Sequence, residues 1–270
     1  MVKIGLALGG GGAKGIAHIK FLKVFDELKI KPSAISGTSI GAIIGSLYSA
    51  GMSAIEIEKY FLSMDLKKVM KLLDISWSTK TGLFGGKKIR KEYEQLIKLK
   101  DFKDLKIPLY VVAADFWKQE ELIFSKGNIA DAVRASGSIP GVFDPVTVGG
   151  RVLVDGGIIN PLPFELLKKK CGVVIAIDVM SDNHKKRGHV RSPTILEQVL
   201  KSLEIMQTSI IKTKLQHSKP DLYLNPRMGN IEVLDFHKAR QIIHSEDSEV
   251  QKLRKYLKKL MKSSTFWSKI

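Results

Sequence analysis

Three short stretches carry residue types suited to acyl-transfer chemistry, and each follows an apolar strand-like run. Gly37-Thr38-Ser39-Ile40-Gly41 fits G-x-S-x-G, in which a strand turns sharply into a helix and holds a serine at the apex. The flanking glycines keep side chains from colliding with strand and helix, and the helix start favours negative charge near the serine oxygen. A tight glycine turn with a helix-capping serine is the plainer reading. Gly9-Gly10-Gly11-Gly12-Ala13-Lys14-Gly15 lies between a strand and a helix. Its glycines allow close backbone approach and positive φ, and unpaired N–H groups at the next helix start make an anion or oxyanion site. Asp155-Gly156-Gly157 follows the strand Arg151 to Val154. An aspartate ending a parallel strand sits where open α/β sheets place their sites, although a turn aspartate capping backbone N–H groups would look the same.

Other chemistries fit less well. Gly10-x-Gly12-x-x-Gly15 satisfies a dinucleotide fingerprint, but that reading requires an acidic residue about 20 positions on, ending a second strand. The next clear strand ends instead at Ser36-Gly37, and Lys14-Gly15-Ile16 breaks a phosphate-binding P-loop pattern. Of the six histidines, His184 and His189 alone follow Asp155 in a loop after a strand, and their surroundings read as a basic surface loop. His18 reads as a packing or hydrogen-bonding residue, and Lys14 either as an electrostatic aid or as a partner of the loop backbone. No metal site and no cofactor are indicated. The one cysteine, Cys171, excludes an intrachain disulfide and reads as a small apolar residue beside a strand.

The elements that must position these residues alternate short apolar strands with amphipathic helices, which predicts a three-layer α/β/α fold with a mainly parallel central sheet. Strands are expected at Val2 to Leu8, Ser33 to Ser36, Pro108 to Asp115, Val152 to Val154, Val173 to Val179 and Asp221 to Leu224, with Glu121 to Ser125 pairing beside Pro108 to Asp115. Helices are expected at Ala13 to Leu28, Ile40 to Ala50 and Ile195 to Leu215, with one or two more between Asp235 and Met261. Without a repeat or a linker, residues 1–270 read as one domain, with core motifs at about 3–180 and a helical extension at about 195–270.

The net charge of +17, from 44 basic and 27 acidic residues, favours anionic partners such as phospholipid headgroups. Nucleic acid is not expected, because no recognised binding motif accompanies the lysines. The start of the chain is too glycine-rich for a signal peptide, and no run of 18 apolar residues occurs, so the expectation is a cytoplasmic protein that touches membranes peripherally. Two segments could make that contact. Glu249 to Ile270 is basic with Val250, Leu253, Leu257, Leu260 and Met261 at helical spacing, and reads first as a helix packed on the domain. Met64 to Lys88 is lysine-rich with scattered apolar residues, and is a candidate lid or lipid-facing flap.

Taken together, the three motifs resemble the patatin-like phospholipase family, small stand-alone bacterial members in particular. The family carries a G-G-G-x-[KR]-G loop, a G-x-S-x-G elbow and a D-G-[GA] element, matched here by Gly10 to Gly15, Gly37 to Gly41 and Asp155 to Gly157. Ala135-Ser136-Gly137-Ser138-Ile139-Pro140 and Asn160-Pro161-Leu162-Pro163 extend the similarity, which runs from about residue 3 to 180. The resemblance implies a Ser39–Asp155 dyad without histidine and an oxyanion hole from Gly10, Gly11 and Gly12. Ala13, Lys14 and Gly15 would support that loop, Thr38 and Ile40 complete the elbow, and Gly156 and Gly157 complete the acid motif. It further implies a serine acyl-ester hydrolase of phospholipase A or lysophospholipase type, with a lipid or acyl-ester substrate. The rival accounts are a regulatory or scaffold protein with this fold and little turnover, and nucleotide binding through the glycine loop. Gly9, ahead of the family loop, has no role in this reading.

Overall fold

The computed structural model describes residues 2–72, 82–180, 192–245 and 247–262. Eight strands form one sheet: β1 (Ile4–Leu8), β2 (Ala34–Thr38), β3 (Leu109–Asp115), β4 (Glu120–Phe124), β5 (Val146–Val148), β6 (Arg151–Asp155), β7 (Val173–Ile177) and β8 (Leu222–Leu224). β3, β2, β1, β7 and β8 are parallel neighbours in that order. The helices are α1 (His18–Glu27), α2 (Ile40–Ser49), α3 (Ala54–Leu62), α4 (Leu66–Leu72), α5 (Lys87–Ile97), α6 (Ile129–Ser136), α7 (Glu165–Lys168), α8 (Ile195–His217), α9 (Ala239–His244) and α10 (Ser248–Lys262).

The central strands are buried on both faces, so their sequences read as continuous apolar runs and alternate residues feed two cores. Ile4, Leu6 and Leu8 of β1, with Ile175 and Ile177 of β7, pack against the helical layer that contributes Phe21, Leu22 and Phe25 of α1 and Leu253 and Leu257 of α10. Ala7, Val174 and Ala176 point the other way, to Phe164, Leu167 of α7 and Ile211 of α8. The three-layer, mainly parallel arrangement expected from the sequence is therefore present, with layers of unequal thickness.

One end of the sheet departs from expectation. β6, which delivers Asp155, is not parallel: it runs antiparallel to β3, with Asp155 opposite Ala113 and Leu153 opposite Asp115. β5 and β4 are also antiparallel to their partners, β6 and β3. Short connections explain the β3–β4 and β5–β6 pairings, which are hairpins, since a parallel return needs a crossover of a dozen or more residues; the β6–β3 pairing joins segments more than thirty residues apart. The helix expected over Ala13 to Leu28 also begins differently, as a 3₁₀ turn over Gly12–Ala17 that becomes α-helical at His18. The 3₁₀ form fits a glycine-containing segment packed against Ile40, whose Cγ2 would lie 2.1 Å from a Cβ at Gly15.

The basic stretch from Glu249 packs on the fold over its described part. Leu253 and Leu257 are fully buried, Lys20 of α1 reaches Asp247 at 3.0 Å, and Arg254 bonds Glu27. Phe266 and Trp267 lie outside the described residues, as do His184 and His189. Among the described residues no helix is long and apolar enough to cross a membrane.

Candidate active site

One edge of β3 brings Ser39 and Asp155 together. β4 pairs with residues 111–115 of β3, β2 with 109–112 and β6 with 113–115. Two strands cannot bond the same residues from the same side, so β2 and β6 share the edge opposite β4 and run toward each other along it. β2 ends at Thr38 opposite Val112, and β6 ends at Asp155 opposite Ala113. The head-on meeting leaves Ser39 Oγ donating to Asp155 Oδ2 at 2.6 Å.

The turn at Ser39 is strained, with φ 55° and ψ −124° in a residue that has a Cβ. Such a conformation persists where the surroundings over-determine it. Here the Ser39 N–H donates to Ser136 Oγ at 2.8 Å, its carbonyl accepts the Ala42 and Ile43 N–H groups, and Thr38 Oγ1 donates to the Asn160 carbonyl at 2.7 Å. Gly41 is required by close approach: a Cβ there would lie 2.2 Å from the Leu8 carbonyl oxygen.

Asp155 is held from three sides. Its N–H donates to the Ser138 carbonyl, its Oδ1 accepts the Gly157 N–H at 2.7 Å, and its Oδ2 accepts from Ser39. Burial pushes the carboxyl up from 3.8 to about 6, and the hydrogen bonds from Ser39 and Gly157 only partly offset that. A buried carboxyl near 6 is a far better proton acceptor at neutral pH than a surface aspartate.

The glycine loop faces this pair, but its three expected donors are not equivalent. Gly10 spends its N–H on the Pro161 carbonyl at 2.9 Å, as Gly9 does on Ile177 and Ala13 on Val233. Gly11 and Gly12, whose N–H groups have no acceptor among the described residues, line a small pocket with Ser39 and Asp155. Gly12 has φ 56°, and a Cβ there would lie 2.3 Å from the Val233 carbonyl oxygen. Gly9, too, is cramped, against the Ile177 carbonyl. His18 is fully buried and pushed down to about 4 by burial, so it is neutral, with Nε2–H donating to the Gly9 carbonyl at 2.8 Å. Lys14, expected as an electrostatic aid or a partner of the loop backbone, forms a buried ion pair with Glu204 of α8 at 2.5 Å. Lys201 also reaches Glu204, at 3.0 Å.

Beside Ser39 lies an apolar cleft of about 160 Å³, which Gly12 also lines. Ile40, Ile43, Phe61, Tyr93, Leu96 and Val133 are among its walls, together with Met64, Val69 and Leu72. Sequence reasoning found neither this cleft nor the supporting residues Ser136, Asn160 and Glu204. Ser136 and Asn160 stood inside stretches of the family resemblance without an assigned role. Glu204 gave no signal, being one acid in a long amphipathic helix.

The chain matches the patatin-like phospholipase family over residues 6–168, a span that includes Ser39, Asp155 and the whole glycine loop. It belongs to that family. This patatin-like chain is 36% identical over 162 residues to an uncharacterised NTE family protein of Mycobacterium bovis, covering 60% of this chain and 44% of that one. To the human patatin-like phospholipase domain-containing protein 6 it is 32% identical over 186 residues, covering 67% of this chain and 14% of that one. The neuropathy target esterase sws of Drosophila melanogaster gives 32% over 186 residues, 67% of this chain and 13% of that one. The chain thus spans less than half the length of these curated relatives. Among solved structures, VipD of Legionella pneumophila shares the fold, with a TM-score of 0.53 at 14% identity over 94% of this chain and 67% of that one.

Proposed function

We propose that this patatin-like chain is a serine acyl-ester hydrolase acting on lipid acyl esters, with Ser39 as nucleophile and Asp155 as its base. The observation that carries the reading is the 2.6 Å hydrogen bond from a strained, elbow-held Ser39 Oγ to a buried carboxyl raised to about 6. The apolar cleft beside Ser39 suits an acyl chain, and the Gly11 and Gly12 N–H groups suit an oxyanion. Family membership points to the same class of reaction.

Ser39 Oγ attacks the ester carbonyl carbon as its proton passes to Asp155 Oδ2. The tetrahedral oxyanion lies against the Gly11 and Gly12 N–H groups, where one donor is typically worth about 3–4 kcal/mol. Collapse breaks the bond to the alcohol oxygen, which takes the proton from Asp155 and departs, leaving the acyl group on Oγ. A water then gives its proton to Asp155 and attacks the acyl carbon. Collapse of this second intermediate returns the proton to Ser39 Oγ and releases the carboxylic acid. Lys14 does not touch the reacting atoms. Paired with Glu204, it anchors the turn after the oxyanion glycines to α8.

The test is labelling of wild type, Ser39→Ala and Asp155→Asn by a fluorophosphonate probe, beside hydrolysis of a short-chain acyl ester. Wild type is expected to label and turn over, and both folded variants to do neither. Undiminished turnover by Ser39→Ala would sink the reading.

A further inference from the structure

The helix beside the apolar cleft has a second, outward face. Met64, Val69 and Leu72 line the cleft, whereas Leu66 and Met70 of α4 are 56% and 62% exposed. Four residues apart, Leu66 and Met70 lie one turn above the other on the same side of the helix. α4 buries no residue, and its sequence LKKVMKL holds three lysines and no acid. Lys68 ties α4 to Glu92 of α5 at 3.1 Å, and Lys67, Lys71, Lys88 and Lys91 are exposed on these two helices. A stripe of apolar side chains bordered by lysines thus sits on the outer side of a helix whose other residues line the cleft beside Ser39.

We propose that this outer face of α4, with the lysines of α5, is the surface by which the chain docks on an anionic phospholipid bilayer. Charge complementarity selects that occupant. Each lysine near an anionic surface adds favourable energy, exposed Leu and Met side chains enter the headgroup–acyl boundary, and the whole chain carries +17. Docking there sets the cleft that leads to Ser39 against the lipid, so an acyl chain can pass from bilayer to cleft without crossing water. The proposal rests on the lipid-hydrolase reading for its purpose, but the surface and its ligand are tested independently of turnover.

The experiment is co-sedimentation of the whole chain with vesicles of phosphatidylcholine plus phosphatidylglycerol, and with phosphatidylcholine vesicles alone, for wild type and three variants. Leu66→Glu/Met70→Glu and Lys67→Glu/Lys71→Glu change residues that do not line the cleft. Trp117→Ala removes part of a separate exposed apolar feature, the Phe116–Trp117 pair at the β3–β4 turn. Wild type and Trp117→Ala are expected to sediment with the anionic vesicles, and both α4 double variants to bind at least about tenfold more weakly. Hydrolysis of a soluble short-chain ester should stay within about twofold of wild type in all three. Wild-type affinity in both α4 variants, loss confined to Trp117→Ala, or equal binding to neutral and anionic vesicles overturns the proposal. If the vesicle result is as expected but no protein hydrolyses any ester, the docking surface stands and the hydrolase reading falls.

Discussion

Ser39 sits between a region fixed by backbone and a region assembled from side chains. On the sheet side, a Cβ at Gly41 or Gly12 would come within about 2.3 Å of a carbonyl oxygen, and the strand ends are pinned by hydrogen bonds from Thr38, Ser39 and Asp155. On the cleft side, α4 buries nothing and α5 buries only Tyr93 and Ile97. A strained serine requires the first kind of construction, because an elbow with room to relax would lose its 2.6 Å contact with Asp155. A surface that receives a bulky, variable chain works with the second, since few buried contacts mean low local stability and easy adjustment. Changes on the sheet side should therefore be severe and insensitive to substrate, and changes on the cleft side milder and graded by acyl length.

The largest effect belongs to the pair itself. Ser39→Ala and Asp155→Asn should each lower kcat for a short-chain ester by at least about 10⁴-fold with fold intact by circular dichroism. As the proposed base, Asp155 would act only when ionised, so in wild type kcat/KM should rise about tenfold per pH unit below about 6 and level off above it. A rate that stays flat from pH 4 to 8 would remove Asp155 as the base.

How much of this was readable from the sequence divides along the same line. The elbow, the acid and the glycine loop were legible because close backbone approach leaves glycine as the residue that fits, and glycines print a pattern. The parallel core was legible because strands covered on both faces are uniformly apolar. The reversal of β6 was not, since Val152-Leu153-Val154 looks the same in either direction and its pairing with β3 is a long-range fact. Nor did the sequence distinguish Gly10 from Gly11 and Gly12, because the acceptor that occupies Gly10 is the carbonyl of Pro161, remote in the chain. The cleft was invisible for a related reason: Ile43, Phe61, Tyr93 and Val133 come from four helices, and each reads alone as ordinary core.

The next effects sharpen the comparison through two buried carboxyls of opposite sign. Glu204 is held below the usual carboxylate range, because Lys14 and then Lys201 outweigh the upward push of burial. Its stabilisation is present above the unfolded value of 4.5 and lost as pH falls through its lower folded value. Glu204→Gln should cost about 3 kcal/mol at pH 7, because Lys14 would stay buried without a counter-charge. Asp155 behaves in reverse. Raised from 3.8 to about 6, it favours the fold below pH 4 and loses that margin as pH rises through 6. Asp155→Asn should therefore stabilise the inactive protein at pH 8 by something on the order of 1–3 kcal/mol. Denaturant titrations at pH 4 and pH 8 check both signs. A stabilising effect of Asp155→Asn that is equal at the two pH values would assign it to packing and not to charge.

The smallest effect comes from the cleft side. Ile43 lies one turn along α2 from Ser39 and lines the apolar cleft, and its partly buried side chain packs at the margin of the main core rather than inside it. Ile43→Phe adds bulk where the structure can yield, so its stability cost should be about 1 kcal/mol, below that of overpacking a rigid core. Within the cleft the added ring competes with the acyl chain. The ratio of kcat/KM for a long-chain ester to that for an acetyl ester should fall about tenfold, or about 1.4 kcal/mol of lost apolar contact, roughly two methylenes. The acetyl ester, which reaches no farther than Ser39, should turn over as in wild type. Equal losses on both esters would mean that the ring had disturbed the elbow, and that the two regions are less separable than their construction suggests.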